Sequence, residues 1–190
     1  MKICNLTFDE YLNMVESFHG SVAPGMIAGG IMVDVAMSNL PEGEFFDVIC
    51  ETQHCLTDAV QMLTPCTIGN GWLRIVDTGR FALIMYNKYT GEGVRVYIDS
   101  EKLHSWSEIR CWFMRERPKH EQDTDLLMNQ FREAGQGFCS FTTVRVRDEY
   151  VENVKKHASP TSLCPGCGEA CMEKEGTLCP ACRGEVSLLA

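Results

Sequence analysis

Residues 80–99, with the sequence RFALIMYNKYTGEGVRVYID, predict a β-hairpin. The segments Arg80 to Tyr89 and Val94 to Asp99 are rich in the β-branched and aromatic residues that strands favour. Between them, Thr90-Gly91-Glu92-Gly93 has the glycines that tight turns require. The hairpin therefore predicts two neighbouring strands of a sheet.

The segments on either side of the hairpin predict a mixture of helices and strands. Further strands are expected at Phe46–Cys50, Trp72–Asp77 and Ser140–Arg147. Helices are expected from a capping box at Thr7–Glu10 towards Phe18, over Pro24–Met37, over Cys55–Thr64, over Ser107–Arg115 and over Glu121–Ala134. This order lacks the regular βα alternation of a nucleotide-binding sheet, so we expect an α+β core.

The second predicted helix is apolar or small almost all round, which predicts that it is buried. Gly25, Gly29 and Gly30 would let another backbone come close to it, either in the same chain or in a partner. This helix and the long strand Arg80 to Tyr89 are therefore candidates for a homodimer interface.

Composition and charge exclude several classes of protein. The chain has 190 residues, of which 45% are hydrophobic and 23% charged, which suits one compact core with a small appendix. Its mean hydropathy of -0.12 is too polar for an integral membrane protein. A net charge of -9 argues against nucleic acid and anionic lipid as partners. We expect a soluble cytoplasmic protein, since Asp9 and Glu10 precede any long apolar run that could serve as an export signal.

The distribution of cysteines divides the chain into two predicted domains. Five of the 11 cysteines lie between Cys164 and Cys182, and the composition changes near Ser159-Pro160. We therefore expect an α+β core over residues 1–158 and a Cys4 zinc-finger domain over residues 159–190. An odd, clustered set of cysteines is more typical of metal binding than of a disulfide framework.

Two Cys-x-x-Cys turns predict the zinc ligands. They are Cys164-Pro-Gly-Cys167 and Cys179-Pro-Ala-Cys182, and together they can offer four thiolates to one Zn²⁺ ion. A treble-clef or ribbon-like hairpin could span the short interval between the turns, and zinc would stabilise a segment with almost no core of its own. Cys171 is then a bystander. The alternative is a set of redox cysteines without metal. The domain is acidic, which favours a structural or protein-docking role over DNA binding.

A second, looser group of residues lies in the predicted core. His19 precedes Pro24-Gly25, and His54-Cys55 begins the third helix. Asp58 lies one helical turn after Cys55 and so shares its face. Cys66 would be about 16 Å from Cys55 on a continuous helix, too far to share one ion, although Pro65 leaves the real distance open. Simple structural explanations also exist: Cys55 as a small buried hydrophobe, His19 as a helix-end residue and Asp58 as a solvated acid.

The combination of these motifs resembles the FmdE family, which takes its name from formylmethanofuran dehydrogenase. The similarity lies in the run from His19 to Gly25, in the motif from Cys55 to Gly71, and in the two Cys-x-x-Cys turns. The resemblance implies an α+β core followed by a zinc finger, a homodimer, and an association with molybdenum- or tungsten-dependent redox enzymes of anaerobic metabolism.

The first motif departs from the pattern that the family commonly carries, His-Gly-His-x-Cys-Pro-Gly. Ser21 stands where the second histidine would be, and Ala23 where the cysteine would be. A thiol–disulfide reaction between that cysteine and Cys55 is therefore impossible. His19, His54 and Cys55 remain as candidate ligands of a second transition metal in the core.

Three functions are compatible with these observations. The first is a zinc-containing accessory or binding protein, associated with a redox enzyme complex and without independent catalysis. The second is a metal- or thiol-dependent enzyme in which Cys55 is the nucleophile or a ligand, His19 the base, and Asp58 the residue that orients it. The third is a regulator that acts through the zinc finger.

Overall fold

The computed structural model describes residues 1–41, 45–152 and 159–186, and it forms two units, Met1–Val151 and Glu152–Ala190. The helices of the first unit are α1 (Phe8–His19), α2 (Pro24–Asn39), α3 (Cys55–Leu63), α4 (Ser107–Phe113), α5 (Thr124–Ala134) and α6 (Asp148–Glu152). Its strands are β1 (Lys2–Ile3), β2 (Leu6–Thr7), β3 (Phe46–Cys50), β4 (Leu73–Ile75), β5 (Ala82–Asn87), β6 (Glu92–Ile98) and β7 (Cys139–Arg145).

The central sheet confirms the predicted α+β class. Its strand order is β4-β3-β5-β6-β7, with β3 and β4 parallel and the remaining neighbours antiparallel. The predicted hairpin is β5 and β6, in which Met85 pairs with Val94. Glu92 and Gly93 belong to β6 rather than to the turn. The turn forms earlier because the Asn87 side chain accepts hydrogen bonds from the amides of Tyr89 and Thr90.

The first two helices begin and end close to the predicted residues. Thr7 and Glu10 form the capping box, in which the Glu10 carboxylate accepts a hydrogen bond from the Thr7 amide at 2.7 Å. Gly20 ends α1 with a left-handed φ of 81°, a conformation that glycine adopts without strain. The second helix begins at Pro24, whose fixed φ suits a first helical turn.

Helix α2 lies at the centre of the unit, with its glycines against other helices of the same chain. It packs against α3 and against the sheet strands β5, β6 and β7. A Cβ added at Gly29 would lie 2.8 Å from the Cβ of Ala59 on α3. One added at Gly30 would lie 2.3 Å from the hydroxyl of Tyr11 on α1. The glycine face of α2 is therefore covered within the chain, and of the two alternatives for its close neighbour, the same chain is the correct one.

The second unit contains a short antiparallel pair, β8 (Thr161–Leu163) and β9 (Ala170–Met172). The two Cys-x-x-Cys turns lie on either side of β9. The predicted domain boundary between residues 158 and 159 adjoins residues 153–158, which lie outside the described part of the chain.

A search of the described residues for a helix both long enough and apolar enough to cross a bilayer finds none.

Gly29→Ala should destabilise the first unit, although alanine is the better helix former. Helix propensity alone would stabilise the variant by about 1 kcal/mol. The added Cβ would meet the Ala59 Cβ at 2.8 Å and the Leu56 Cα at 3.3 Å, contacts that cannot relax by a rotamer change. Overpacking of this kind costs about 1–3 kcal/mol, so we expect a net loss of about 1 kcal/mol in the free energy of unfolding, measured in urea.

The matched control is Gly137→Ala. Nothing lies within 4 Å of a Cβ at Gly137, and its φ is not left-handed. The control should therefore be as stable as the wild type or slightly more stable. Equal stability of Gly29→Ala and the wild type would contradict the close contact of α2 and α3.

Candidate functional site

The four predicted zinc ligands lie together in the second unit. The Sγ atoms of Cys164, Cys167, Cys179 and Cys182 are all within 4.8 Å of one another, and those of Cys167 and Cys179 are 4.0 Å apart. In a tetrahedral site with Zn–S bonds near 2.3 Å, neighbouring sulfurs are separated by about 3.8 Å. The cluster therefore needs little contraction to hold one ion.

The backbone of the two turns points amide groups at the sulfurs. The Cys179 amide donates to the Cys164 Sγ, and the Cys182 amide donates to the Cys179 Sγ, each at 3.4 Å. Gly168 follows the first turn with a left-handed φ of 79°, which a glycine adopts at no steric cost. A side chain at Gly166 would lie 3.0 Å from the Cys182 Sγ. These glycines thus keep the space around the thiols open.

The electrostatics of the cluster favour a bound cation. Hydrogen bonds from the backbone amides of Cys179 and Cys167 lower the pKa of the Cys164 thiol from 9.0 to about 6. The adjacent Cys179, Cys167 and Cys164 thiols raise the pKa of Cys182 to about 12. One thiolate therefore forms readily, while its negative charge opposes the next. A divalent cation removes this repulsion, so the donor set fits Zn²⁺.

In the first unit, α1 and α3 bring two of the candidate catalytic residues together. His19 is the last residue of α1, and its Nδ1 lies 2.9 Å from the Oδ2 of Asp58 on α3. The contact that the enzyme hypothesis requires, with Asp58 orienting His19, is therefore present. It also replaces the simple explanations of a carbonyl-bonded histidine and a fully solvated acid.

Cys55 lies apart from that pair, in an open groove of about 1160 Å³. Its Sγ is directly over Gly25 of α2, where an added Cβ would be 3.0 Å from the sulfur. The residues that line the groove are Ala23, Pro24, Gly25, Thr52, His54, Cys55, Asp77, Gly79, Phe81, Trp112, Phe113, Arg115, Arg117, Pro118, Lys119 and Gln122. Neither His19 nor Asp58 is among them. Ala23, which replaces the common family cysteine, does line it, so the substitution removes a thiol from the groove.

The environment of Cys55 keeps its thiol protonated. Burial raises the pKa of this thiol above its ordinary value of 9.0, and the nearby Asp58 carboxylate raises it further. The expectation that a helix N-terminus would favour the thiolate is therefore not met, because desolvation outweighs it.

The described residues contain a single group of three or more histidine, cysteine or acidic donors close enough to share an ion, and it is the Cys4 cluster. His19, His54 and Cys55 do not form such a group. Since the Nδ1 of His19 is directed at Asp58, the suggested second metal lacks a ligand set in this part of the chain.

Cys66 is also separate from the groove. It is fully buried, and its Sγ lies 3.5 Å from the carbonyl oxygen of Phe46 on β3. Burial raises the pKa of its thiol to about 11. Cys66 is therefore a small buried hydrophobe with a weak hydrogen bond. Gly69 and Gly71 lie in the turn beyond it and do not line the groove.

Sequence reasoning missed the groove residues that come from distant segments. Asp77 and Phe81 come from the connection between β4 and β5, and Arg115, Arg117 and Lys119 follow α4. The dense basic run at residues 115–119 in an acidic chain was the signal that could have drawn attention to them.

The fold and the two sites define a protein with an α+β core, an open groove beside a cysteine, and a Cys4 zinc finger. The chain belongs to the FmdE family: the family described as FmdE, molybdenum formylmethanofuran dehydrogenase operon, matches residues 18–146. The FmdE treble clef zinc finger matches residues 155–187, which selects the treble clef from the two finger types expected.

Two known proteins are similar over most of this chain. A crystal structure of a tungsten formylmethanofuran dehydrogenase FmdE-like protein from Syntrophus aciditrophicus is 46% identical, with a TM-score of 0.89 over 99% of this chain and 98% of that one. A probable S-adenosyl-L-methionine-binding protein of Archaeoglobus fulgidus is 30% identical over 194 residues, covering 89% of this chain. The chain spans 51% of the length of that relative.

Cys164→Ser should remove most of the zinc from the second unit. Cys164 is the fully buried member of the cluster and accepts a backbone hydrogen bond, so a hydroxyl cannot replace its thiolate. We expect zinc, measured by mass spectrometry after exposure to a chelator, to fall from about one per chain to near zero. Far-ultraviolet circular dichroism should show that the first unit is still folded.

Cys171→Ser is the control for this change, because Cys171 lies on β9 outside the ligand cluster. It should retain wild-type zinc. If Cys164→Ser also retains its zinc, the assignment of the ligands is wrong.

Proposed function

We propose that this protein is a zinc-containing accessory protein that binds a small molecule in the groove beside Cys55 and has no independent catalytic activity. The groove carries this proposal: it is large, open and lined by apolar and polar side chains from several segments. Such a concave surface with a few convergent polar groups is typical of ligand sites. In the proposal, the zinc finger stabilises the second unit and offers an acidic surface to a protein partner.

The state of the thiols favours binding over covalent catalysis. A cysteine nucleophile acts as its thiolate, whereas burial raises the pKa of Cys55. The adjacent base that would activate it is missing from the groove lining, because His19 is paired with Asp58. The enzyme alternative retains that histidine–aspartate pair as its supporting observation. The regulator alternative retains the finger, without a basic surface that would favour nucleic acid.

Membership of the FmdE family supports the cellular part of the proposal. The family description refers to an operon of molybdenum formylmethanofuran dehydrogenase. We infer that this chain acts in the cytoplasm of an anaerobic organism as a homodimer, beside a redox enzyme complex. Because the glycine face of α2 is covered within the chain, the dimer would use another surface.

The similarity to a probable S-adenosyl-L-methionine-binding protein makes that compound a reasonable first ligand to test. Since this chain spans about half of that relative, the groove found here need not be the part of the relative that binds it.

Metal analysis tests whether the core is free of a metal of its own. Wild type, Cys55→Ala and His19→Ala, purified anaerobically without a tag, should each contain about one zinc per chain, because the four finger cysteines are the single ligand cluster in the described residues. The measurement is inductively coupled plasma mass spectrometry. A second metal that disappears in either variant would place a metal site in the core and support the enzyme alternative.

Alkylation tests the state of the Cys55 thiol. Iodoacetamide at pH 7, followed by peptide mapping, should modify Cys55 several-fold more slowly in the folded chain than in urea, because its raised pKa leaves less thiolate. The rate in the folded chain should continue to rise with pH above 9.0, the ordinary pKa of the thiol.

Asp58→Asn is the informative variant for this measurement. It removes a negative charge that helps to raise the pKa of Cys55, so the midpoint of the pH profile should move towards the ordinary value. Faster modification of Cys55 in the folded wild type than in the denatured chain would contradict the proposal and indicate an activated nucleophile.

A further inference from the structure

The ligand class of the groove follows from its charge and its aromatic wall. We propose that the groove binds an organic anion with a flat aromatic group, its ring against Trp112 and its carboxylate or phosphate at Arg115 and Lys119. This inference rests on the proposed function, namely that the groove is a ligand site.

The groove is basic in an otherwise acidic protein. The whole chain has a net charge of -9. By contrast, Arg115, Arg117 and Lys119 line the groove together with a single acid, Asp77. The Asp77 carboxylate already accepts a hydrogen bond from the Gly79 amide at 3.0 Å. A local excess of positive charge in a concave surface attracts an anion.

The three cations are not equivalent. Arg117 donates to the Glu108 carboxylate and, at 2.9 Å, to the Cys111 sulfur, so its charge is largely compensated. Within residues 1–41, 45–152 and 159–186, Arg115 and Lys119 have neither an ion pair nor a side-chain hydrogen bond. These two are therefore the groups available to a ligand anion, and a guanidinium and an ammonium suit both carboxylate and phosphate.

The backbone fixes the position of Arg115 at the end of α4. Its φ of 55° is left-handed, which is uncommon and unfavourable for an arginine. The Arg115 amide donates to the Trp112 carbonyl, and the Glu116 amide donates to the Cys111 carbonyl. The turn is thus held directly after the aromatic residues of α4, which places a cation beside the aromatic wall.

The aromatic wall gives the groove its second recognition element. Phe81 and Trp112 meet edge to face with ring centroids 6.3 Å apart, and Phe113 contacts both rings. Trp112 is held from behind by the fully buried Phe131, at 5.8 Å. All three groove rings are half-buried, so each retains an accessible part. A rigid half-exposed tryptophan favours flat aromatic ligands by stacking.

Cys55 supplies a reporter of occupancy. The added Cβ at Gly25 that would touch the Cys55 sulfur would also lie 3.8 Å from Cζ2 of Trp112. The thiol and the indole are therefore close neighbours in the same part of the groove. A ring bound against Trp112 should shield Cys55 from alkylation.

The experiment compares three probes with the same ring system: naphthoate, naphthyl phosphate and the uncharged naphthol. Affinity is measured by calorimetry, and occupancy by slower iodoacetamide modification of Cys55, with the half-buried Cys4 outside the groove as the internal reference. We expect both anions to bind about tenfold more tightly than naphthol, the effect of one charged hydrogen bond. The tighter of the two anions identifies the preferred group.

The variants separate a specific anion site from net charge. Arg115→Gln and Lys119→Gln should each bring anion affinity towards that of naphthol while leaving naphthol binding unchanged. Arg145→Gln removes the same charge from a 70% exposed arginine outside the groove and should have no effect. Equal binding of the three probes with protection of Cys55 would overturn this inference and leave the groove as a ligand site. A lack of Cys55 protection by every probe would overturn the inference and the ligand-binding proposal together.

Discussion

The close approach of α2 and α3 is the constraint on which both the core and the groove depend. Gly29 lets the two helices approach until Ala59 touches the α2 backbone, and Gly25 leaves room for the Cys55 sulfur one helical turn earlier. The same contact that buries the centre of the fold therefore places the thiol at the groove. A side chain at either glycine would separate the helices, and the position of Cys55 would change with the packing.

The second unit is organised by a different interaction. It has two short strands and few buried side chains, and Cys164 is its fully buried residue. So small a segment cannot bury enough apolar surface to offset the conformational entropy lost on folding. Metal–thiolate bonds supply that free energy instead. The finger thus follows ligand geometry where the first unit follows helix packing, which explains why the composition changes so sharply between them.

Local signals accounted for most of the fold and for one of the two sites. The capping box at Thr7, the hairpin around Gly91 and the Cys-x-x-Cys turns each place their determinants within a few residues, so the sequence predicts them well. The groove depends instead on the meeting of α3 with the segment after α4 and the connection before β5. No periodicity connects Cys55 with Arg115, because their proximity is a product of tertiary packing. Element ends were misplaced by a few residues for a similar reason: side chains such as Asn87 altered the turns.

Cysteines with the same intrinsic chemistry are driven in opposite directions by these two environments. At Cys164, backbone amides directed at the sulfur lower the pKa to about 6, and the resulting thiolate is suited to a metal. At Cys55, burial against Gly25 and a nearby carboxylate raise the pKa, and the thiol stays neutral. A neutral thiol next to an indole presents a polarisable, largely apolar surface to a ligand ring. The groove therefore derives its polarity from the basic segment after α4 rather than from its cysteine, and this division of roles is what a binding site requires and a thiolate enzyme does not.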